Sequence, residues 1–256
     1  MKEINFDEEH RSCIDKILNE SWETFKRQFV WQTIMSEARN EAAFQFCFAS
    51  IIKEIGNRYV KSDEAFFVDL ETKIEVGADI ISKYHDYNIS KWKFIDITCG
   101  FKVGDNIKYK CAIELKCPIA GNTKHTAFPH TMYRIYRDLM YLEIESKNSL
   151  DDISEGRFYL MTNDVHYTNK PAYAEKAKTD STYKPLGLLD PLNSESRINS
   201  TEKGEVCYHP AKEGGQIRKI KLDNSYEINW EKAKIQGKQE IENWYFLEIK
   251  IPQKSE

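Results

Sequence analysis

The chain has 256 residues, 41% hydrophobic and 30% charged, the balance of a soluble globular protein with enough length to bury one large core. Its 37 basic and 41 acidic residues leave a net charge of −4, which excludes a global attraction for polyanions, so any nucleic-acid contact must come from local Lys and Arg clusters. No apolar run approaches the roughly 20 residues a membrane span needs, and the start, Met1 to Asp7, lacks the basic and apolar stretches of an export signal, so a cytoplasmic protein is expected.

In chain order, residues 7–32 carry Ile14, Ile17, Leu18, Trp22 and Phe25 at the spacing of one helix face. Residues 36–55 predict a second helix with Ser36 as N-cap, buried on most sides because Ala42, Ala43, Phe44, Phe46, Cys47, Phe48, Ile51, Ile52 and Ile55 leave little polar face before Gly56. Strands are predicted at about 65–75, 92–101 and 107–117, the last two joined by a hairpin turn at Gly104-Asp105-Asn106. From Pro129 to about Ser146, Met132, Ile135, Leu139 and Leu142 recur in a helical rhythm, and a strand from Arg157 to Thr162 follows. Helix, three strands, helix, strand is an α/β order in which a crossover helix returns the chain beside an earlier strand.

Residues 163–225 are polar and broken by Pro171, Pro185, Pro191, Pro210 and Gly214-Gly215, the pattern of a surface insertion. Strand signals return at 226–235 and 244–251, so the chain end is expected to rejoin the fold. Cys13, Cys47, Cys99, Cys111, Cys117 and Cys207 form no C-x-x-C pair and match no common zinc spacing with His125 and His130; they read as reduced thiols.

Period-two alternation decides which side chains share a strand face. In Cys111 to Cys117 the odd positions read as core, leaving Glu114 and Lys116 together on the other side. In Phe94 to Cys99 the same rule sends Ile95, Ile97 and Cys99 inward and Asp96 outward beside Thr98. Asp96 and Glu114 are expected as accessible carboxylates whose hard oxygens suit Mg²⁺, and Lys116 as a point charge aimed into the same site. Such a set neutralises the charge that develops in phosphodiester hydrolysis.

Asp96, followed by Glu114-Leu115-Lys116 on the next strand and then by a helix and a strand, resembles the PD-(D/E)XK nuclease superfamily over about residues 36–162. Ile95 stands where the superfamily's name has a proline. The resemblance implies a restriction-endonuclease-like α/β fold, a four-stranded mixed sheet flanked by helices, within a single domain over 1–256. Residues 163–256 are then an elaboration that shapes substrate recognition. It also implies DNA cleavage dependent on Mg²⁺, with Mn²⁺ as substitute. Asp96 and Glu114 would be the metal ligands, joined by the Leu115 carbonyl and by an acid from the first core helix, Glu41 or else Glu37. Lys116 would stabilise the nucleophilic water. Lys124, His125, His130 and Arg134, with Arg137 nearby, are candidate DNA contacts. By analogy a type II restriction or phage-defence nuclease is expected, possible as a homodimer; a repair or recombination nuclease and a catalytically silent DNA- or protein-binding module remain open.

Overall fold

The structure, a computed structural model, describes residues 6–36, 39–87, 89–120, 128–148, 153–168, 198–200, 205–208, 216–224, 226, 228–236 and 241–251. Two helices open the chain, α1 (Phe6–Val30) and α2 (Glu41–Gly56). The second begins five residues after the expected start. Asn40, in extended backbone, is the cap: its side chain accepts from the Ala43 amide at 2.9 Å. Ser36 lies instead in a bend that follows two left-handed residues, Gln32 and Met35, and Glu37 lies outside the described residues.

Next come β1 (Ala65–Glu75), the short helix α3 (Ala78–Lys83), β2 (Trp92–Val103), β3 (Asn106–Lys116), α4 (Phe128–Asn148) and β4 (Glu155–Thr162). The later strands are β5 (Ile198–Ser200), β6 (Glu205–Tyr208), β7 (Arg218–Lys221), β8 (Glu231–Gln236) and β9 (Ile241–Ile251). The main sheet is mixed and six-stranded, in the order β1-β2-β3-β4-β9-β8. Only β3 and β4 run parallel, and α4 makes the crossover between them. The chain end does rejoin the sheet, so the sheet has two more strands than the four expected, and β8 begins at Glu231 where a strand from residue 226 is expected. β5, β6 and β7 form a separate small sheet.

The two faces of the main sheet bury separate cores. Ile97, Cys99, Cys111, Ile113 and Leu115 pack under α1 and α2 with Trp22, Phe25, Phe44 and Phe48. Ile95, Ala112, Phe158 and Leu160 pack under α4 with Ile135, Leu139 and Leu142. β4 is buried along its whole length, as expected of a strand covered on both faces. Its Arg157 pairs with Asp15 of α1, Glu155 and Glu248 of β9, tying the first helix, the central strand and the last strand together. The six cysteines are free thiols, and among the described residues no helix is long and apolar enough to cross a membrane.

Two irregularities shape β2. Its alternation breaks at Asp96, because Ile97 belongs to the core under α1 and α2 while Ile95 belongs to the core under α4; the expected shared face of Ile95 and Ile97 is therefore corrected. Opposite the break, β1 pairs Leu70 with Ile97 and Thr72 with Ile95, leaving Glu71 unpaired at φ +51°. Such a conformation is uncommon for a non-glycine residue and persists only where surroundings hold it. Farther along, Gly100 allows close approach to β3: a Cβ there would lie 1.9 Å from the Tyr109 carbonyl oxygen. Because that neighbour is backbone, no rotamer change relieves the clash. Gly100→Ala is expected to cost about 2–3 kcal/mol and to lower Tm by roughly 5–10 °C, read by thermal unfolding; an unchanged Tm would mean the two strands are not locked in this register.

Candidate active site

β2 and β3 part company at one end. Their ladder has a bulge between Phe101 and Lys102 and is regular from the Phe101–Tyr109 pair to the Ile97–Ile113 pair; beyond it the Leu115 amide donates to Asp96 Oδ2 at 2.6 Å. A carboxylate thus bridges a fork between strands. Gln45 of α2 holds the other side of the fork, its amide nitrogen lying 2.7 Å from the Asp96 carbonyl oxygen and 2.9 Å from Glu71 Oε1. The unusual backbone at Glu71 and the break at Asp96 are therefore fastened by one side chain.

On β3 the alternation holds. Ala112 faces α4, and Glu114 and Lys116, two and four residues on, face the same way. They are not on an open face, however. Glu114 is 1% exposed and Lys116 5%, so the expectation of accessible carboxylates is corrected for Glu114, while Asp96 is half-buried. What covers them is α4. Its Asp138, 2% exposed, lies 3.0 Å from the ammonium nitrogens of both Lys116 and Lys93. Lys93 Nζ is also 2.9 Å from Glu114 Oε1, an ion-pair distance. Lys116 Nζ donates to the Leu115 carbonyl at 2.7 Å and reaches Glu41 Oε1 at 3.5 Å. Glu41 sits in the first turn of α2, so helices from opposite faces of the sheet meet at the end of β3.

The electrostatics follow from burial plus neighbours. Burial opposes the charge on Lys116, but Asp138, Glu41, Glu114 and Asp96 outweigh it and keep the amine protonated. Burial likewise pushes Asp138 up, and Lys116 and Lys93 more than reverse this, bringing it down to about 2. Glu114 goes the other way: burial and the Asp138 charge hold it well above the ordinary carboxylate range, with Lys93 and Lys116 offsetting only part. Asp96 is raised mainly by burial, against Lys116 and the Leu115 amide. With all groups ionised, Glu41, Asp96, Glu114 and Asp138 face Lys93 and Lys116, leaving an excess of two negative charges.

The donor chemistry fits a hard divalent cation near Asp96 and Glu114: two carboxylates with hard oxygens, both held above the ordinary range in the absence of metal because burial and neighbouring carboxylates outweigh the lysines. Among the described residues no group of three His, Cys, Asp or Glu side chains forms a ready cage, and the Leu115 carbonyl is engaged by Lys116. Of the remaining candidates, His130 and Arg134 lie exposed on α4, and Lys124 and His125 fall outside the described residues. Cys99, Cys111 and Cys117 lie in the core under α1 and α2, whereas His130 is on α4 across the sheet, so these thiols and imidazole do not converge.

Asp138 and Lys93 were not singled out from the sequence, although each leaves a signal. Asp138 falls three residues after Ile135 and four before Leu142, a charge set into an apolar stripe. At the start of β2, Trp92 and Phe94 are exposed while Lys93 turns inward, the reverse of the usual order. No family model, curated protein or solved structure matches this chain.

The charge balance gives a test in metal-free protein. Because Glu114 titrates above its unfolded value of 4.5, the folded chain keeps a proton that the unfolded chain releases, so its contribution to stability is lost as pH rises. Glu114→Gln removes that loss. In EDTA the variant should melt a few degrees higher than wild type at pH 8, with the difference shrinking toward pH 5; a variant that melts lower at pH 8 would show that the ionised carboxylate stabilises the fold.

Proposed function

We propose that the chain is a divalent-metal-dependent endodeoxyribonuclease of PD-(D/E)XK type, with a restriction-endonuclease-like core. The observation that carries this reading is the strand fork, where Asp96 binds across to β3 and a buried, permanently cationic Lys116 lies among Glu41, Asp138, Glu114 and Asp96. The order α2, β1, β2, β3, α4, β4 and the parallel β3–β4 pair support it. Asp96 and Glu114 would hold Mg²⁺, or Mn²⁺ in its place, with Glu41 as a third acid at the rim. When bound, the cation supplies Lewis-acid neutralisation of the phosphoryl oxygens and a more acidic water.

The chain's own residues divide the remaining work. Lys116 is protonated throughout the neutral range, so it acts as a fixed positive charge at the reacting centre and not as a base. Asp138 positions it: one carboxylate oxygen faces Lys116 and the other Lys93, which fixes both ammonium groups relative to Glu114. A type II restriction or phage-defence enzyme, working in the cytoplasm and as a homodimer where both strands are cut, is the setting this reading suggests; repair or recombination nucleases share the same chemistry. The second reading, a silent binding module, draws support from the burial of Glu114 and from the pairing of Asp138 with both lysines.

Incubation of the full chain with plasmid DNA separates them. Cleavage should appear with Mg²⁺ or Mn²⁺, be absent with Ca²⁺, and be lost in Asp96→Ala and Glu114→Gln. Lys116→Ala should lower the cleavage rate by at least about a hundredfold while DNA affinity in Ca²⁺ stays near wild type. An equal fall in rate and affinity would mark Lys116 as an ordinary phosphate contact, and no cleavage under any metal would favour the silent module.

Glu41 needs its own test because its side chain is 43% exposed and its helix is already capped by Asn40. Glu41→Gln should raise the Mg²⁺ concentration for half-maximal cleavage several-fold and leave the metal-free Tm almost unchanged. Should Tm drop several degrees with the metal requirement intact, Glu41 belongs to the scaffold.

A further inference from the structure

α4 carries a second set of charged residues beside Asp138. His130, Arg134 and Arg137 follow one another at i, i+4 and i+7 and share one helix face. The small sheet brings Arg218 of β7 to the same place. Its guanidinium lies 5.9 Å from the Tyr133 ring centre, Tyr133 stacks on Tyr208 of β6 at 5.4 Å, and Tyr208 is 5.9 Å from His130. Tyr208 and Arg218 are partners in the β6–β7 ladder. Both tyrosines are buried, so they form a floor, with the histidine and three arginines around it.

This floor is fixed to α4. Val206, Tyr208 and Ile220 enter the core with Tyr133, Tyr136 and Leu139. The chain after β7 is tied down as well, since Glu143 of α4 accepts from the backbone amides of Asp223 and Asn224 and from the Tyr226 hydroxyl. Arg218 is thereby held against the crossover helix.

Among the described residues no carboxylate lies within ion-pair distance of Arg134, Arg137 or Arg218, in a protein whose net charge is negative. Arg137 Nε is buried and has no hydrogen-bond partner. Burial first, and then the charges of Arg134, Arg218 and Arg137, hold the His130 imidazole below its ordinary range, so it enters the cluster as a hydrogen-bonding ring beside three guanidinium charges. Arg137 also acts on Asp138, so the cluster adjoins the candidate active site. From residue 130 to 137 the helix rises about 10 Å, roughly three base-pair steps measured along the axis of a duplex. That length exceeds a single phosphate and suits a row of them, and guanidinium forks match phosphate oxygens in pairs.

We infer that His130, Arg134, Arg137 and Arg218 form a seat for the phosphodiester backbone of duplex DNA, built jointly by the crossover helix and the small C-terminal sheet. The inference rests on the nuclease reading and adds to it the contribution of β7, which gives the elaboration a direct role in holding substrate. The contacts are to phosphate, so they position the duplex without reading its sequence.

The test is binding of a fluorescein-labelled duplex by the full chain in EDTA, where no cleavage occurs, followed by anisotropy across about 50 to 200 mM salt. Arg134→Gln and Arg218→Gln should each weaken binding roughly tenfold at the lower salt and each reduce the slope of log K against log salt by about 0.9. Arg218→Lys, which keeps the charge, should retain most of the slope. Arg134 is exposed on one helix face, so Arg134→Gln remains decisive if Arg218→Gln loosens the small sheet and lowers Tm. Wild-type affinity and slope in a folded double variant, or a wild-type chain that does not bind duplex, would overturn the seat. Cleavage in Mg²⁺ is scored separately: cutting with an unchanged slope removes the seat and leaves the nuclease, whereas a lost slope without any cutting removes the nuclease and leaves the seat.

Discussion

Lys116 and Lys93 are held to one carboxylate, Asp138, in a space between sheet and helix from which water is largely excluded. Removing one partner from such a buried set typically costs about 3–5 kcal/mol, because the remaining charge is left without compensation. α4 therefore docks with a defined rotation and height, set by where Asp138 must lie. Since α4 is also the crossover between β3 and β4, the same requirement helps to fix the parallel pair and with it the direction of the rest of the sheet. The hydrophobic stripe of α4 supplies most of the driving force, and the charges supply the selection among otherwise similar packings.

Much of this was legible in the sequence where local rules act alone. Alternation on β3 placed Glu114 and Lys116 on one face because that strand is regular from Tyr109 onward. The same rule failed on β2, where Glu71 on the neighbouring strand adopts a left-handed backbone and the ladder with β3 ends. A break of that kind depends on the partner strand and on Gln45 from a helix, none of which the local pattern encodes. Local pattern alone does not fix the start of α2, because Ser36 and Asn40 are both good caps and the turn geometry ahead of them decides between the two. Asp138 and Lys93 were harder still, since each acquires meaning only once the other is across from it.

The C-terminal third is more than an appendage in two respects. β8 and β9 extend the main sheet, and Trp244 and Phe246 fill the core under α1 beside Phe29. The small sheet packs Val206, Tyr208 and Ile220 into the core that α4 shares with the main sheet. Strength at the site comes from both, although every side chain at the fork belongs to residues 41–138.

The position of β9 sets an order of events during folding. β2 and β3 are joined by a tight turn and β1 reaches β2 through the short helix α3, so these pairings are local, whereas Gly156 must find Ile251 and Thr162 must find Tyr245. Non-local pairings of this kind are entropically slow to form. As the chain emerges from the ribosome, all the residues of the fork are present well before β9 is, and during that interval β4, with Phe158, Tyr159, Leu160 and Met161 at its centre, has an unpaired edge. An edge in that state invites pairing with another nascent chain, which makes the arrival of residues 241–251 the step that separates productive folding from aggregation.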